Sequence, residues 1–416
     1  MQELNIQKGS LLAERFCVNA LVGKGTFGRV YSAVDSQTNK EVAVKIETKK
    51  GKHSQLLNEV KILQKLKGVT GVPKYLYSSK DGDYGLLAME LLGESIRSKF
   101  ARFNKTFSLK TVLLVSEEML ERIRTLHEYH YIHRDIKPQQ FITSYNDVEN
   151  TIYLVDYGLA KKYVNKSGVH AAYAENRSFV GTYHYASVNC HVGIQQGRRD
   201  DLESMCYSIA FLLNGDLPWV SRNKKKYSQT KIRKIKARTS PAKLMKGFPP
   251  EFCELLKYVR GLNFDTEPDY NYMKGLLSSI KLKINMAEAI FDWNLPLREM
   301  TKTETLMIKT RTIEKESKSK EGDTRFRTLS SLFHEELSSE SSRTVEKLNL
   351  PKLLNREILP KHSCKGLSES KTLPMSFLFA KKAQKSYCKE NLVRMRSTSA
   401  EIEKSECLQK SNCVVF

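Results

Sequence analysis

Proline and tryptophan are scarce in this chain of 416 residues, which contains 11 and 2 of them. No uncharged apolar run reaches the roughly 18 residues that a membrane-spanning helix needs. The eight cysteines are scattered without a C-x-x-C pair, so we expect neither a disulfide framework nor a zinc ribbon. The first residues also lack the apolar segment of a secretory signal. These absences predict an intracellular protein, in a reducing compartment, that does not span a membrane.

Acidic residues are also few relative to basic ones. The chain has 46 aspartates and glutamates against 69 lysines and arginines, which gives a formal net charge of +23. Residues 301–416 contain 23 of the basic and 15 of the acidic residues, a net charge of +8. The net charge of residues 1–300 is therefore +15. With 40% hydrophobic residues, the chain is long and apolar enough to bury a core. The positive charge predicts an anionic partner, and nucleic acid, anionic lipid, nucleotide phosphate and phosphorylated protein all fit it.

Hydrophobic periodicity divides the chain into three parts. Apolar runs and β-type residues predict strands at 17–22, 29–34, 42–46, 76–79, 84–91 and 151–155, and helical spacing predicts helices at about 54–67, 111–126, 201–213, 251–261 and 268–280. From 301 to 416, 27 of the 116 residues are serine or threonine, and no long helical pattern continues. We therefore predict an α+β fold with a small β-rich lobe (15–92) and a larger helical lobe (93–298). A basic, mostly disordered tail (299–416) follows.

The first chemical motif is the glycine-rich sequence GKGTFG at residues 23–28. In a dinucleotide-binding fold a helix follows such glycines at once, whereas here the next residues are of strand type. The motif therefore indicates a hairpin whose backbone approaches phosphates closely. An ordinary glycine-rich turn is the alternative interpretation.

The second motif is VAVK at residues 42–45. A lysine that ends a buried strand needs a partner charge, and Glu59 on the next predicted helix is suited to that role. Paired in this way, Lys45 would contact the α- and β-phosphates of ATP. The alternative is a lysine whose amine reaches solvent, beside a surface glutamate.

Two further motifs are HRDIKPQQ at residues 133–140 and DYG at residues 156–158, where Asp156 lies 21 residues after Asp135. Taken singly, each is compatible with a turn that an aspartate caps. All four motifs, in this order and spacing, resemble the signature set of protein kinases. By that resemblance Asp135 orients the attacking hydroxyl, Lys137 steadies the transferring phosphoryl group and Asp156 holds Mg²⁺.

Longer segments resemble the casein kinase I family of serine/threonine kinases, over about residues 15–298. They are MELLG (89–93), DYGLAKKY (156–163), YASVN (185–189), RRDDLES (198–204), LPW (217–219) and FDWN (291–294). The SVN sequence is distinctive, since most protein kinases have Ala-Pro-Glu there. The resemblance implies a bilobal protein-kinase fold, the use of ATP with Mg²⁺ or Mn²⁺, and protein substrates with acidic or already phosphorylated residues. Lys137 resembles serine/threonine rather than tyrosine kinases.

The same resemblance implies the site residues. Met89 occupies the gatekeeper position, and residues 90–92 form the hinge that meets adenine. The implied ATP-binding residues are Val22, Gly23, Lys24, Gly25, Thr26, Phe27, Gly28, Arg29, Val30, Ala43, Lys45, Glu59, Met89, Glu90 and Leu92. The implied metal ligands are Asp156 and Gln140, and the implied site for the anionic part of a substrate consists of Lys226 and His184.

Two of these positions depart from the family pattern. Gln140 replaces the asparagine that holds a second Mg²⁺ and adds one methylene, so a pseudokinase scaffold that binds ATP or partners with little turnover is the alternative function. His184 replaces an arginine, and an imidazole lacks the bidentate geometry of a guanidinium, which predicts weaker recognition of phosphate. The basic segment 222–238 has nine cations and no acid, and a solvated loop or a nuclear-targeting signal are its alternative interpretations.

The last four residues, Cys413 followed by Val-Val-Phe, match the C-a-a-X prenylation pattern, in which a final Phe favours geranylgeranyl. An ordinary apolar end is the alternative. Because one lipid binds membranes only marginally, Cys407 is the candidate for palmitoylation, and the basic residues of 381–396 are candidates for contact with anionic lipid. We expect a cytoplasmic monomer attached peripherally to membranes, with a nuclear pool. No zinc finger or RNA-recognition motif supports specific nucleic-acid binding.

Overall fold

The computed structural model describes residues 6–25, 28–48, 54–80, 84–145, 150–221, 227–286 and 290–295. The predicted disordered tail, the lipidation sites Cys413 and Cys407, and the site residues Thr26, Phe27 and Lys226 lie outside these residues.

The N-terminal lobe is one antiparallel sheet of six strands in the order β1-β2-β3-β4-β6-β5. The strands are β1 (Leu11–Leu12), β2 (Phe16–Lys24), β3 (Arg29–Asp35), β4 (Lys40–Thr48), β5 (Tyr75–Ser79) and β6 (Tyr84–Glu90). Alternation along β4 places Val42, Val44 and Ile46 in the core of one sheet face. Ala43 belongs to the core on the opposite face, so Lys45 points the same way as Ala43.

Helix α1 (Gln55–Lys65) packs on that second face. Ser54 caps its first turn by accepting a hydrogen bond from the Leu57 amide, and the Glu47 carboxylate accepts hydrogen bonds from the Gln55 and Leu56 amides at 3.3 and 2.6 Å. Its buried positions are spaced as a helix requires, and they include one charged residue, Glu59.

The C-terminal lobe is helical. Its helices are α2 (Ile96–Arg102), α3 (Leu109–Glu128), α4 (Val188–His191), α5 (Arg198–Asn214), α6 (Gln229–Arg238), α7 (Pro241–Leu244), α8 (Pro250–Gly261) and α9 (Tyr270–Lys283). Two short antiparallel strand pairs lie between α3 and α4 in the chain. They are β7 (Tyr131–Ile132) with β10 (Lys161–Lys162), and β8 (Phe141–Thr143) with β9 (Ile152–Leu154). Helix α5 is buried along nearly its whole length and packs against α3 and α8.

This architecture confirms the predicted bilobal fold, with a sheet lobe that ends at Glu90 and a helical lobe that begins at Ile96. One alternative from the sequence is wrong, because residues 229–238 of the basic segment form helix α6 and not a charged loop. Lys236 on this helix is fully buried and donates hydrogen bonds to the carbonyls of Tyr183 and Ala186. Across the described ranges, none of the helices combines the length and apolar content that crossing a membrane requires.

Candidate active site

One side of the cleft between the lobes, here called the phosphate side, consists of Lys45, Glu59 and Asp156. The Lys45 Nζ atom donates to Glu59 Oε2 at 2.6 Å and to Asp156 Oδ1 at 2.7 Å. Burial by itself would lower the pKa of Lys45, but the charges of Glu59 and Asp156 outweigh that effect and raise it. The ammonium group is therefore charged, and the ion pair predicted from the sequence is formed.

The carboxylates that hold Lys45 differ in exposure. The Glu59 side chain is 2% exposed, whereas that of Asp156 is 40% exposed. Burial acts to raise the pKa of Asp156, but Lys45 outweighs it and lowers the pKa to about 2. Asp156 is therefore an ionised carboxylate open to the cleft, a donor type that hard divalent cations prefer. Its backbone has a left-handed φ of 65°, at the start of the 3₁₀ turn Tyr157–Leu159.

Helix α1 is joined to this turn by Asn58. Its Nδ2 atom donates to the carbonyls of Tyr157, Gly158 and Ala160 at 3.2, 3.1 and 2.8 Å. Glu59, the partner of Lys45, is the next residue. The Asn58 bonds therefore fix α1 at the turn that carries Glu59. Sequence analysis missed Asn58, since a polar residue within a helix carries no signal for a partner 100 residues away.

The other side of the cleft, the hydroxyl side, consists of Asp135, Lys137 and Thr182. The Lys137 Nζ atom donates to Asp135 Oδ2 at 2.5 Å and to Thr182 Oγ1 at 3.0 Å. The Thr182 hydroxyl in turn donates to Asp135 Oδ1 at 2.7 Å. Both oxygens of Asp135 are thereby oriented, and a carboxylate held in this way can accept the proton of a hydroxyl substrate. Thr182 is a second residue that sequence analysis missed.

The backbone under Asp135 is fixed from the core. Asp201, buried on α5, accepts hydrogen bonds from the amides of His133 at 2.6 Å and Arg134 at 2.8 Å. Gly181 approaches the same loop so closely, with φ of 114°, that a Cβ atom there would lie 2.5 Å from the Arg134 carbonyl oxygen. The loop is therefore held from two directions before any ligand arrives.

Gln140 lies between the two sides. It is 5% exposed, and its Nε2 atom is 3.0 Å from Asp156 Oδ2 and 3.4 Å from Asp135 Oδ2. The amide nitrogen, and not the amide oxygen, thus faces both carboxylates. The expected role of Gln140 as a metal ligand stays a prediction.

The glycine-rich hairpin joins β2 to β3 as predicted. Gly23 pairs with Val30 and Lys24 with Arg29, and the Gly25 amide donates to the Gly28 carbonyl at 2.9 Å. An ideal Cβ atom on Gly28 would lie 2.3 Å from the Ile46 carbonyl oxygen, so the close approach of β3 to β4 there requires glycine. Val22 is 55% exposed on β2.

The expected adenine-binding residues lie together at the end of β6. Met89 pairs with Ala43 of β4, and both side chains are buried. The Glu90 amide donates to the Lys74 carbonyl at 2.9 Å, which anchors the start of the segment that leads through Leu92 to the helical lobe. The cleft therefore has an apolar end at Ala43 and Met89, and a charged end at Lys45 and Asp156.

The residue expected to bind anionic substrates, His184, is exposed, and its carbonyl accepts a hydrogen bond from Trp219 Nε1 at 2.7 Å. In the sequence, His184 follows Thr182 of the hydroxyl side by two residues.

Tyr157, which replaces a phenylalanine of the kinase signature, is buried, and its hydroxyl donates to the Leu154 carbonyl at 2.8 Å. The extra oxygen is therefore satisfied.

A family model of the protein kinase domain matches residues 16–267, which is more than half of the chain. The chain belongs to the protein kinase family. Kinases of this family use ATP with a divalent cation, and the donor set fits that use, with the Lys45 ammonium for phosphates and the open Asp156 carboxylate for the cation. Within the ranges that the structure describes, no cluster of three or more His, Cys, Asp and Glu is arranged to hold a metal ion.

Proposed function

We propose that this kinase is a serine/threonine kinase of casein kinase I type, which transfers the γ-phosphoryl group of ATP to acidic or phosphate-primed proteins. The observation that carries the proposal is the contact of Lys137 with both Asp135 and Thr182 on the hydroxyl side. A lysine two residues after the catalytic aspartate is typical of kinases that phosphorylate aliphatic hydroxyl groups.

In the proposed reaction, Asp135 orients the substrate hydroxyl and receives its proton as the new oxygen–phosphorus bond forms and the bond to the β-phosphate oxygen breaks. Lys137 neutralises charge on the transferring group, and Lys45 positions the phosphates of the nucleotide. Asp156 would hold the divalent cation, Mg²⁺ or Mn²⁺, which supplies charge neutralisation at the phosphates.

The casein kinase I assignment is supported by the segment at residues 185–189. Ser187 begins α4, where its hydroxyl donates to Asp200 Oδ1 at 2.6 Å and accepts a hydrogen bond from the Cys190 amide at 3.0 Å. A serine is thus the anchoring residue where most protein kinases have the sequence Ala-Pro-Glu.

The preference for acidic or phosphorylated substrates is supported by the charge of α6. Its Lys231, Lys234 and Arg238 are exposed, while Lys236 ties the helix to the backbone of residues 183 and 186. Positive charge therefore borders the segment that begins at Thr182, next to Asp135. His184 and Lys226 belong to this proposal as the expected contacts for substrate anions.

Membrane attachment is part of the proposal. Prenylation of Cys413, a second lipid on Cys407 and the basic residues of the tail would hold a monomeric kinase at an anionic membrane surface. The C-terminal peptide of the protein isolated from cells is expected to carry an isoprenoid on Cys413, as read by mass spectrometry. An unmodified peptide that retains Val-Val-Phe contradicts this part.

A matched set of peptides tests the phosphoryl transfer. The full chain is incubated with Mg-ATP or Mn-ATP and peptides that differ only in a Ser, Thr or Tyr acceptor, with acidic or basic flanking residues. Transfer to Ser and Thr in the acidic context is expected, and the Asp135→Asn variant should lose about 10²–10⁴-fold in kcat. Equal rates for wild type and Asp135→Asn with both metals refute the proposal and favour the non-catalytic scaffold.

A further inference from the structure

Gln140 has a position that neither the fold nor the proposed reaction requires. It is buried between Asp135 and Asp156, which lie on opposite sides of the cleft and are 21 residues apart in sequence. Its amide nitrogen is within hydrogen-bond distance of one oxygen of each carboxylate, at 3.4 and 3.0 Å. A primary amide carries two hydrogens on its nitrogen, so it can give one to each.

The surrounding charges fix which way the amide faces. Carboxylates are acceptors only, so an amide turned the other way would present its oxygen to two more acceptor oxygens. Lys45 binds the other oxygen of Asp156, Oδ1, whereas Asp135 Oδ2 also accepts a hydrogen bond from Lys137 at 2.5 Å and shares that oxygen with Gln140. The nitrogen-inward orientation is therefore the favourable one.

A metal ligand at this position needs the opposite orientation. In the kinase signature, the corresponding asparagine offers its oxygen to a second Mg²⁺. To do the same, Gln140 would have to give up both hydrogen bonds and turn its amide so that the oxygen faced the cation. We propose that Gln140 is an amide donor that links Asp135 to Asp156 in place of a second metal ion, so that the kinase holds one divalent cation with its nucleotide.

This inference rests on the proposed function only in taking Asp135 and Asp156 as the catalytic carboxylates. The inference gives Gln140 a positioning role. Its amide donates to both carboxylates and so reduces the repulsion between them, and this effect does not depend on the metal concentration. The two aspartates would then keep their spacing before nucleotide binds.

Counting bound metal tests the inference without requiring turnover. The full chain is saturated with a non-hydrolysable ATP analogue, and bound Mn²⁺ is counted by electron paramagnetic resonance. We expect one Mn²⁺ per wild-type chain and two per Gln140→Asn chain, since the shorter amide leaves room for the second ion. Gln139→Asn, an exposed neighbour in the same loop, is the matched control and should bind one.

A count of two, or of none, in the wild type overturns the inference, and so does a count of one in Gln140→Asn. A wild type that binds one Mn²⁺ but phosphorylates no peptide supports the inference while it refutes the proposed function. The two ideas therefore fail separately.

Thermal unfolding in EDTA provides a second readout. Without metal or nucleotide, Gln140→Leu removes the donor between the carboxylates and is expected to lower Tm by about 2–8 °C. Gln139→Leu should leave Tm unchanged. A Gln140→Leu protein as stable as the wild type in EDTA overturns the bridging role, because a residue that serves only as a metal ligand has no function in metal-free protein.

Discussion

The phosphate side and the hydroxyl side of this active site each contain a lysine bound to an aspartate, but the two are assembled differently. Lys45 takes its partners from 14 and 111 residues away, on α1 and at Asp156. Lys137 lies two residues from Asp135, in a loop whose backbone is held by the buried Asp201. The phosphate side therefore depends on the placement of α1, whereas the hydroxyl side is fixed locally and from the core.

Among variants that leave the charged residues of both sides intact, the largest effect should come from releasing α1. Asn58→Leu keeps the branching of the side chain but removes the donor to the carbonyls of Tyr157, Gly158 and Ala160. If the resulting loss is about 2 kcal/mol, kcat/KM for ATP falls about 30-fold. The KM for the peptide should change much less, because the hydrogen bonds of Asn58 end on Tyr157, Gly158 and Ala160 and not on the residues of the hydroxyl side. Steady-state kinetics with each substrate varied in turn makes the measurement.

Gln64→Leu, at an exposed position of the same helix, is the control for Asn58→Leu and should retain wild-type kinetics. If Asn58→Leu raised the peptide KM as much as that for ATP, the two sides would not be independent and the comparison would fail.

A smaller effect is expected on the hydroxyl side from Thr182→Val. The variant keeps the shape of the side chain but removes the hydrogen bond to Asp135 and the acceptor for Lys137. Lys137 keeps its direct bond to Asp135, so we expect the loss of the bond that orients Asp135 to dominate and to lower kcat about 10-fold, with KM for ATP unchanged. Thr182→Ser restores the hydroxyl and should recover most of the rate. Failure of that rescue would mean that the threonine methyl group, and not the hydroxyl, matters.

The smallest effect concerns two adjacent aspartates of α5, the helix under the hydroxyl side. Burial acts to raise the pKa of Asp201, but its hydrogen bonds and charge interactions with His127 and His133 together outweigh burial and lower the pKa. For Asp200 burial prevails and raises the pKa to about 6. Because this value exceeds the ordinary 3.8, the folded state takes up a proton that the unfolded state does not, and Asp200 contributes more stability as the pH falls through 6.

Replacing Asp200 by Asn removes that titration. Between pH 7.5 and pH 5 the wild type should gain about 1 kcal/mol relative to Asp200→Asn, or about 2–4 °C in Tm. Thermal unfolding of both proteins in matched buffers measures the difference. A wild type that instead loses stability relative to the variant on acidification would show that Asp200 is held ionised, as Asp201 is.

Much of the fold was predictable because its signals are local. The strands β2 to β6 and the helices α1, α3, α5, α8 and α9 lie where periodicity placed them. Helices α2 and α6 were missed, and each has a lysine among its few buried positions. In α2 this residue is Lys99, which is 1% exposed and lies 5.1 Å from the centre of the Trp293 ring. In α6 it is Lys236, whose charge hides the inward face of the helix from a hydrophobicity pattern.

The sequence by itself determined the order and spacing of the kinase motifs, and from them it predicted which residues carry the chemistry, because such motifs are short and are read along the chain. It predicted that Lys45 follows a buried strand and that Glu59, on the next helix, is its partner. Only the tertiary structure decided the contacts of Asn58, Thr182 and Gln140. Each of these uncharged polar side chains meets a partner that comes close only through packing, and hydrogen bonds depend on a distance and direction that no local pattern records.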